Sequence, residues 1–183
     1  MPVELDLLKL VCHRLEQSSI PYMLTGSVAS NFYAVPRMTR DIDIVIELQH
    51  PDVDKLFHLF QDEFYISKNA IAEALEYEGM FNAIHNESVF KVDFIIRKSA
   101  HYRNAEFQRK QRILFDDMHI WIVAPEDLII SKLCWAKSAS SEMQLNDVQN
   151  LLRTVRNLDE DYIHKWVQTL ALDEIYKKVK TDA

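Results

Sequence analysis

Apolar residues recur along much of the chain with the period of an α-helix. In residues 3–17 the side chains of Leu8, Val11, Cys12 and Leu15 follow the i, i+3, i+4, i+7 spacing, which predicts an amphipathic helix. The same spacing predicts further helices after Pro51, over residues 70–77 and repeatedly from Pro125 onward. Both ends of the chain are therefore expected to be helical.

Short apolar and alternating runs between these helices predict strands. Residues 22–25 form a buried run that leads through Gly26 and Ser27 into a short helix over residues 28–32. Residues 41–46 alternate polar and apolar positions before they become wholly apolar, so their two acids share one face of a strand. The same signals predict strands at 80–85, 88–97, 112–115 and 119–123.

The change of pattern at Pro125 predicts two parts with different architecture. Residues 1–124 combine an N-terminal helix with all of the predicted strands, whereas residues 125–183 carry only helical periodicity. We expect an α+β fold in which a small mixed β-sheet is flanked by helices, with residues 125–183 forming a helical part packed on that core.

Composition narrows the class of protein further. The chain has only two glycines in 183 residues, which disfavours a β-sandwich built from tight hairpins. A net charge of −7 argues against indiscriminate binding to nucleic acid or to anionic membranes. Cys12 and Cys134 lie in no metal-binding spacing, and neither a signal segment nor a membrane-spanning run is evident. We expect a cytoplasmic protein without membrane association.

Three acids and one glycine turn carry the candidate chemistry. Asp41 and Asp43 stand at i and i+2 of a predicted strand and so point to the same face. With Asp93 on a neighbouring strand, their carboxylates predict a site for Mg²⁺, with Mn²⁺ as an alternative. Gly26 and Ser27 lie at a strand-to-helix turn, where backbone N–H groups and a hydroxyl can bind the phosphates of a nucleoside triphosphate.

The order and spacing of these motifs resemble a known superfamily. Residues 24–29, followed by the Pro-Arg-Met-Thr-Arg run and Asp-Ile-Asp of residues 36–43 and by the later acid Asp93, resemble the core of the DNA polymerase beta-like nucleotidyltransferases. The closest resemblance is to the branch of AbiE-type toxin nucleotidyltransferases. Residues 123–132 resemble the later helix of that branch, and residues 145–148 resemble the acidic element that follows.

This resemblance extends over residues 20–155 and has two departures. Ala34 stands where these relatives usually carry a second glycine, and Met143-Gln144 stand where a basic-acidic pair often precedes the second acidic element. All of the core acids are present. The departures therefore concern substrate contacts more than metal chemistry.

The resemblance implies a Mg²⁺-dependent nucleotidyltransferase that transfers a nucleoside monophosphate from a nucleoside triphosphate to a hydroxyl. Asp41, Asp43 and Asp93 would then be catalytic and hold the metal. The implied phosphate-binding residues are Gly26, Ser27, Arg37, Arg40 and Lys132. The implied acceptor is the end of a tRNA or a hydroxyl on a protein, and the implied setting is a toxin–antitoxin pair with an antitoxin protein as partner.

Less specific interpretations stand beside these. Asp93 could form a salt bridge to Lys91 or Arg97 instead of holding a metal, and Lys132 could simply extend to water. Arg37 and Arg40 could be surface ions that balance the nearby acids. Asp147 could orient Lys132 or only begin a helix.

Alternative functions also remain open at this stage. The basic segment of residues 97–112 could bind RNA or protein, or be a solvated face. The chain could be a catalytically inactive nucleotide- or partner-binding module with the same fold. It could also be a metal-dependent phosphohydrolase that releases monophosphate without joining it to an acceptor.

Overall fold

The computed structural model describes residues 3–181 and has the α+β fold that the sequence predicts. One mixed sheet carries helices along its faces and at its C-terminal side. The helices are α1 (Val3–Gln17), α2 (Gly26–Tyr33), α3 (Asp52–Phe60), α4 (Lys68–Glu76), α5 (His101–Gln108), α6 (Pro125–Ala139), α7 (Glu142–Thr154), α8 (Glu160–Thr169) and α9 (Asp173–Thr181). The strands are β1 (Tyr22–Thr25), β2 (Asp41–Ile46), β3 (Phe64–Tyr65), β4 (Met80–His85), β5 (Lys91–Ile96), β6 (Gln111–Phe115) and β7 (Met118–Ile122).

The strand order of the sheet is β3-β4-β5-β2-β1-β7-β6. At its centre, β2 is antiparallel to β1 and parallel to β5. Along β2 the side chains of Ile42, Ile44 and Ile46 are buried in the core, while the alternate positions are only half-buried. The acids of β2 therefore lie on the less buried face of the sheet, opposite the isoleucines.

The structure departs from the predicted elements in three places. Helix α5 lies inside the basic segment of residues 97–112, where no helix was predicted, and β3 is a two-residue strand at the edge of the sheet. Helix α5 buries Tyr102 and Phe107 but also Glu106, so its sequence lacks a clean apolar stripe. The predicted strand over 88–97 is confined to Lys91–Ile96.

From Pro125 to Thr181 the described chain contains helices and connecting turns and no strands. Helix α6 begins with Pro125 in its first turn, a position where proline fits because its missing N–H needs no partner. Trp166 of α8 packs on Tyr102 of α5 with ring centroids 4.9 Å apart, which joins the last helices to the sheet-containing part. The division into 1–124 and 125–183 stays a prediction. No helix in residues 3–181 combines the length and apolar character needed to cross a bilayer.

Candidate active site

The three predicted acids lie on two neighbouring parallel strands. Asp43 of β2 and Asp93 of β5 are directly paired in the register, and Asp41 stands two residues earlier on β2. Asp93 is only 6% exposed. Strand pairing thus places these carboxylates on one face of the sheet, although Asp43 and Asp93 lie far apart in the sequence.

Gly26 brings the first turn of α2 against Asp43. Its φ of +66° lies in the left-handed region, which glycine enters without a steric penalty. A Cβ on Gly26 would lie only 2.6 Å from Cγ of Asp43. The absence of a side chain at Gly26 therefore makes room for the Asp43 side chain. The backbone N–H of Ser27 donates a hydrogen bond to Asp43.

Lys91 provides a positive charge beside the acids. Its Nζ lies 3.0 Å from Oδ2 of Asp93 and 3.5 Å from Oδ1 of Asp41. Asn82 of β4 donates a hydrogen bond to the other oxygen of Asp93. The salt bridge considered for Asp93 therefore forms with Lys91, whereas Arg97 binds Glu47, with 2.7 Å from Nη2 to Oε1.

The charge of Asp43 is poorly compensated in this arrangement. Burial, together with the neighbouring charges of Asp93 and Asp41, raises the pKa of Asp43 to about 6, against smaller opposing effects of Lys132 and the Ser27 N–H. A half-buried carboxylate that lies beside two other carboxylates favours a bound cation. The oxygen donors are those that Mg²⁺ and Mn²⁺ take, so the chemistry of the residues fits such an ion.

The side-chain positions themselves do not form a finished metal site. Within residues 3–181, no group of three or more His, Cys, Asp or Glu side chains is arranged so that it could hold a metal ion. At Asp93, Lys91 and Asn82 occupy the carboxylate oxygens. The assignment of Asp41, Asp43 and Asp93 as metal ligands stays a prediction.

Arg37 and Lys132 converge on one buried acid, Asp147. Arg37 donates two hydrogen bonds to the carboxylate, at 2.8 Å from Nε and 2.9 Å from Nη2, and its Nη2 also donates to Oγ of Ser27 at 2.6 Å. Lys132, only 3% exposed, donates from Nζ to Asp147 at 2.8 Å. Asp147 therefore orients Lys132, which is one of the two interpretations given for it above. Arg37 in turn links Asp147 to Ser27 at the start of α2.

The two departures from the family pattern have simple structural outcomes. Ala34 ends α2 with φ −135° and ψ −170°, an extended conformation that alanine adopts without strain, so glycine is not required there. Gln144 accepts a hydrogen bond from Nζ of Lys132 at 3.1 Å. A neutral side chain thus takes part in the lysine network where an ionic pair often stands in relatives.

Arg40 is the predicted phosphate ligand that the structure does not bring to this network. Its side chain is exposed and makes no hydrogen bond or ion pair with residues 3–181. It lines a second cavity together with Asp41 and Thr39. Gly26, Ser27, Asp43 and Lys132, by contrast, line one common cleft of about 250 Å³.

The common cleft contains residues that the sequence analysis did not select. Its floor includes Val45 and Ile95 of the sheet, and one wall is formed by α6 with Ser131 and Trp135. Arg103 and Glu106 of α5 complete it. The helical spacing of Ser131, Lys132 and Trp135 could have indicated a shared face, but no sequence signal placed α5 beside α6.

Three arginines of the basic segment at residues 97–112 are paired with acids of the chain. Arg103 pairs with Glu106 at 2.8 Å, and Arg109 pairs with Asp127 at 2.9 Å. Arg97 is held by Glu47, as described above. These arginines are therefore engaged in internal ion pairs, which weakens the interpretation of the segment as an RNA-binding surface.

Comparison with known proteins finds similarity in structure only. The sequence matches no protein-family model and no curated protein. The antibiotic-resistance factor ANT(2'')-Ia in solution is similar with a TM-score of 0.64 and 10% identity, over 98% of this chain and 96% of that chain. The lincomycin-bound lincosamide antibiotic adenylyltransferase LnuA has a TM-score of 0.52 and 14% identity, over 79% of this chain and 93% of that chain.

A third similar structure is an antigenic nucleotidyltransferase-like protein from Paracoccidioides brasiliensis. Its TM-score is 0.57 and its identity 12%, over 96% of this chain and 91% of that chain. At such low identity the similarity concerns the fold. The chain thus has a fold that is also found in nucleotidyltransferases, while its chemistry must be argued from its own residues.

Proposed function

We propose that this protein is a nucleotidyltransferase that transfers a nucleoside monophosphate from a nucleoside triphosphate to a hydroxyl group. The observation that carries the proposal is the contact between the first turn of α2, at Gly26 and Ser27, and Asp43, which is paired across the strands with Asp93. A phosphate-binding helix start and a cation-binding acid pair on one face are the two parts that phosphoryl transfer requires.

The phosphates would be held by the positive side of this contact. The Ser27 hydroxyl, Arg37 and Lys132 form a connected network beside the start of α2, and Asp147 holds both cations in place. Arg37 would bind phosphate oxygens through its planar guanidinium, and Lys132 would act as a point charge. Arg40 would join them only after a change of conformation.

The acids would bind the cation and orient the acceptor. Asp41, Asp43 and Asp93 would hold Mg²⁺ or Mn²⁺, which would neutralise phosphate charge and lower the pKa of the attacking hydroxyl. That hydroxyl oxygen forms a bond to the α-phosphorus while the bond from the α-phosphorus to the bridging oxygen breaks, so that pyrophosphate leaves. Asp93 would take the hydroxyl proton, which requires Lys91 to release this carboxylate.

The acceptor is proposed here only as a hydroxyl compound. ANT(2'')-Ia is described in complex with adenylyl-2''-tobramycin, and LnuA with lincomycin. A small-molecule acceptor agrees with the internal pairing of the basic segment at 97–112, which leaves less free positive charge for RNA. A tRNA or protein acceptor and an antitoxin partner remain predictions from the motif resemblance.

The test is transfer itself. The protein is incubated with each of the four ribonucleoside triphosphates, labelled at the α-phosphate, together with Mg²⁺ and a panel of hydroxyl compounds, total RNA or protein. The proposal expects pyrophosphate release together with label attached to one acceptor. Asp41→Asn should abolish both signals without loss of folded structure.

Two other outcomes identify the competing functions. Triphosphate binding without pyrophosphate release under any combination supports a non-catalytic binding module, for which the salt bridges of Lys91 to Asp41 and Asp93 are the relevant observation. Release of free nucleoside monophosphate, with no labelled acceptor, supports a phosphohydrolase. Either result contradicts nucleotidyl transfer.

A further inference from the structure

The cleft has an apolar floor directly beside the carboxylates. Val45 pairs with Ile95, and Ile95 pairs with Met80, two residues along the strands from Asp43 and Asp93. All three apolar side chains line the cleft. Two residues of strand span about 7 Å. This distance accommodates a sugar between an α-phosphate at the acids and a base over the apolar floor.

Helix α6 presents a matching wall. Leu128, Ser131, Lys132 and Trp135 follow the i, i+3, i+4, i+7 spacing and line the cleft together. Trp135 remains 48% exposed although it faces the cleft. An indole in this position provides a face on which a planar base can stack.

A polar cluster at the same cleft offers hydrogen-bond donors. Nη1 of Arg103 donates to Glu106 at 2.8 Å and to Oγ of Ser131 at 2.6 Å, and the Ser131 hydroxyl donates to the other oxygen of Glu106. Glu106 is only 3% exposed, so its carboxylate is committed to this cluster. Within residues 3–181, Nη2 and Nε of Arg103 have no hydrogen-bond partner. The cluster therefore presents donors to a ligand.

The rim of the cleft also favours ligands with hydrogen-bond acceptors or negative charge. Arg97 and Lys98 line it on the positive side. Glu78 is the acid at this rim, and one of its oxygens accepts a hydrogen bond from the backbone N–H of Ser99 at 3.1 Å. A polycationic ligand would thus meet several cations and one partly occupied carboxylate. Groups with carbonyl oxygens or negative charge are better matched.

The bases differ in the hydrogen-bond donors and acceptors on their edges, and the N–H groups of Arg103 can distinguish them. Guanine offers O6 and N7 as acceptors, and a keto pyrimidine offers O4, whereas adenine and cytosine carry amino donors at the corresponding positions. An arginine fork that meets O6 and N7 forms two hydrogen bonds. An amino group placed against the same fork leaves buried donors unpaired, which is costly.

We infer that this cleft selects a triphosphate with a keto base, guanine or uracil, over one with an amino base, adenine or cytosine. The inference rests on the proposed function and narrows its nucleotide. Arg103 is the specificity-determining residue, since its free N–H groups read the base, and Trp135 provides the stacking face. The triphosphate end lies at Ser27 and Lys132, which line the same cleft.

The test measures equilibrium binding of α,β-methylene triphosphates in the presence of Mg²⁺ by titration calorimetry. The analogues of GTP and UTP should bind at least about tenfold more tightly than those of ATP and CTP, the discrimination typical of a good base-reading pair. The inosine analogue should bind like the GTP analogue, because it keeps O6 and N7 and lacks only the amino group.

Matched variants distinguish base reading from general damage. Arg103→Lys keeps a positive charge beside Glu106 but removes the planar guanidinium group. The preference for GTP over ATP should therefore fall to about threefold or less. Arg109→Lys is the control, because Arg109 also pairs with buried acids but does not line the cleft. It should keep the full preference.

The possible failures are separable. Equal affinity of the wild-type protein for the GTP and ATP analogues overturns this inference and leaves the proposed function in place. Unchanged selectivity in Arg103→Lys overturns the role of Arg103 in reading the base. Absence of binding by all five analogues overturns the proposed function and this inference with it.

Discussion

Two acid clusters of this protein are built from similar residues and have opposite character. In one, Asp127 at the start of α6 is fully buried and accepts hydrogen bonds from Nε of Arg109 at 2.9 Å and from the Tyr162 hydroxyl at 2.6 Å. In the other, Asp43 has Asp41 and Asp93 as charged neighbours. The first cluster is satisfied by the chain itself, and the second is not.

The direction of each pKa shift, together with its causes, distinguishes the two buried acids Asp127 and Asp43. Burial raises the pKa of Asp127, but Tyr162 and Arg109 oppose that rise with hydrogen bonds to the ionised form. Burial also raises the pKa of Asp43, and there two like charges increase the rise, to about 6. A buried acid whose charge is met by its own hydrogen-bond partners needs no further cation, whereas a buried acid among acids indicates a site for a cation. This difference can be tested.

The largest expected effect is the loss of transfer in Asp43→Asn. The amide cannot supply the charge that a divalent cation requires, and a loss of about 4 kcal/mol in transition-state stabilisation corresponds to about a thousandfold in rate. Because Asp43 repels Asp41 and Asp93, the unfolding temperature should stay the same or rise. Pyrophosphate release and thermal unfolding measure the two quantities. Transfer at a wild-type rate would remove Asp43 from the proposed chemistry.

The opposite pattern is expected for Asp127→Asn. This change removes one of the two buried acids that pair with Arg109, the other being Glu126, and the loss of such a charged hydrogen bond costs about 2 kcal/mol of unfolding free energy. Nucleotide binding by the protein that remains folded should be unchanged, since Asp127 does not line the cleft. Urea unfolding and calorimetry check both. A variant as stable as the wild type would show that the two clusters differ less than their contacts indicate.

The two glycines offer a comparison of the same kind. Gly26→Ala forces a side chain into a backbone with φ +66° and against Asp43, so it should cost about 2 kcal/mol of stability and displace that carboxylate. Gly79→Ala is the matched change, because its Cβ would lie 3.8 Å from the nearest atom, an ordinary contact. Unfolding free energies should separate the variants, and equal values would contradict the strain at Gly26.

The sequence allowed prediction of what depends on local pattern. The strand at Asp41–Ile46, the turn at Gly26 and the helical run from Pro125 follow from periodicity and turn chemistry, and they are confirmed. Seven strands form the sheet in residues 3–181, and their order could not be predicted, because pairing between β2 and β5 joins segments far apart in the chain.

The contacts of charged side chains were the least predictable feature. Nothing local indicates that Arg37 binds Asp147, or that Lys91 rather than Arg97 binds Asp93. Helix α5 was missed because a buried Glu106 interrupts its apolar face, and that acid is stable there only through Arg103 and Ser131. Such partners are fixed by tertiary packing, so the site was predicted as a set of acids and not as a network.

The smallest expected effect concerns Lys91, the residue that partly neutralises the cluster of Asp41, Asp43 and Asp93. Lys91 neutralises part of the charge on Asp41 and Asp93, and a divalent cation must displace it. Lys91→Met should therefore raise the affinity for Mn²⁺ about threefold to tenfold, because a competing charge at short range is removed. Mn²⁺ titration followed by electron paramagnetic resonance measures this change.

Lys68→Met is the matched control, since it removes a lysine from an exposed pair with Asp54 and should leave the affinity unchanged. Weaker Mn²⁺ binding in Lys91→Met would contradict this expectation. It would mean that Lys91 holds the carboxylates in the positions that the ion requires, as Arg109 holds the carboxylate of Asp127.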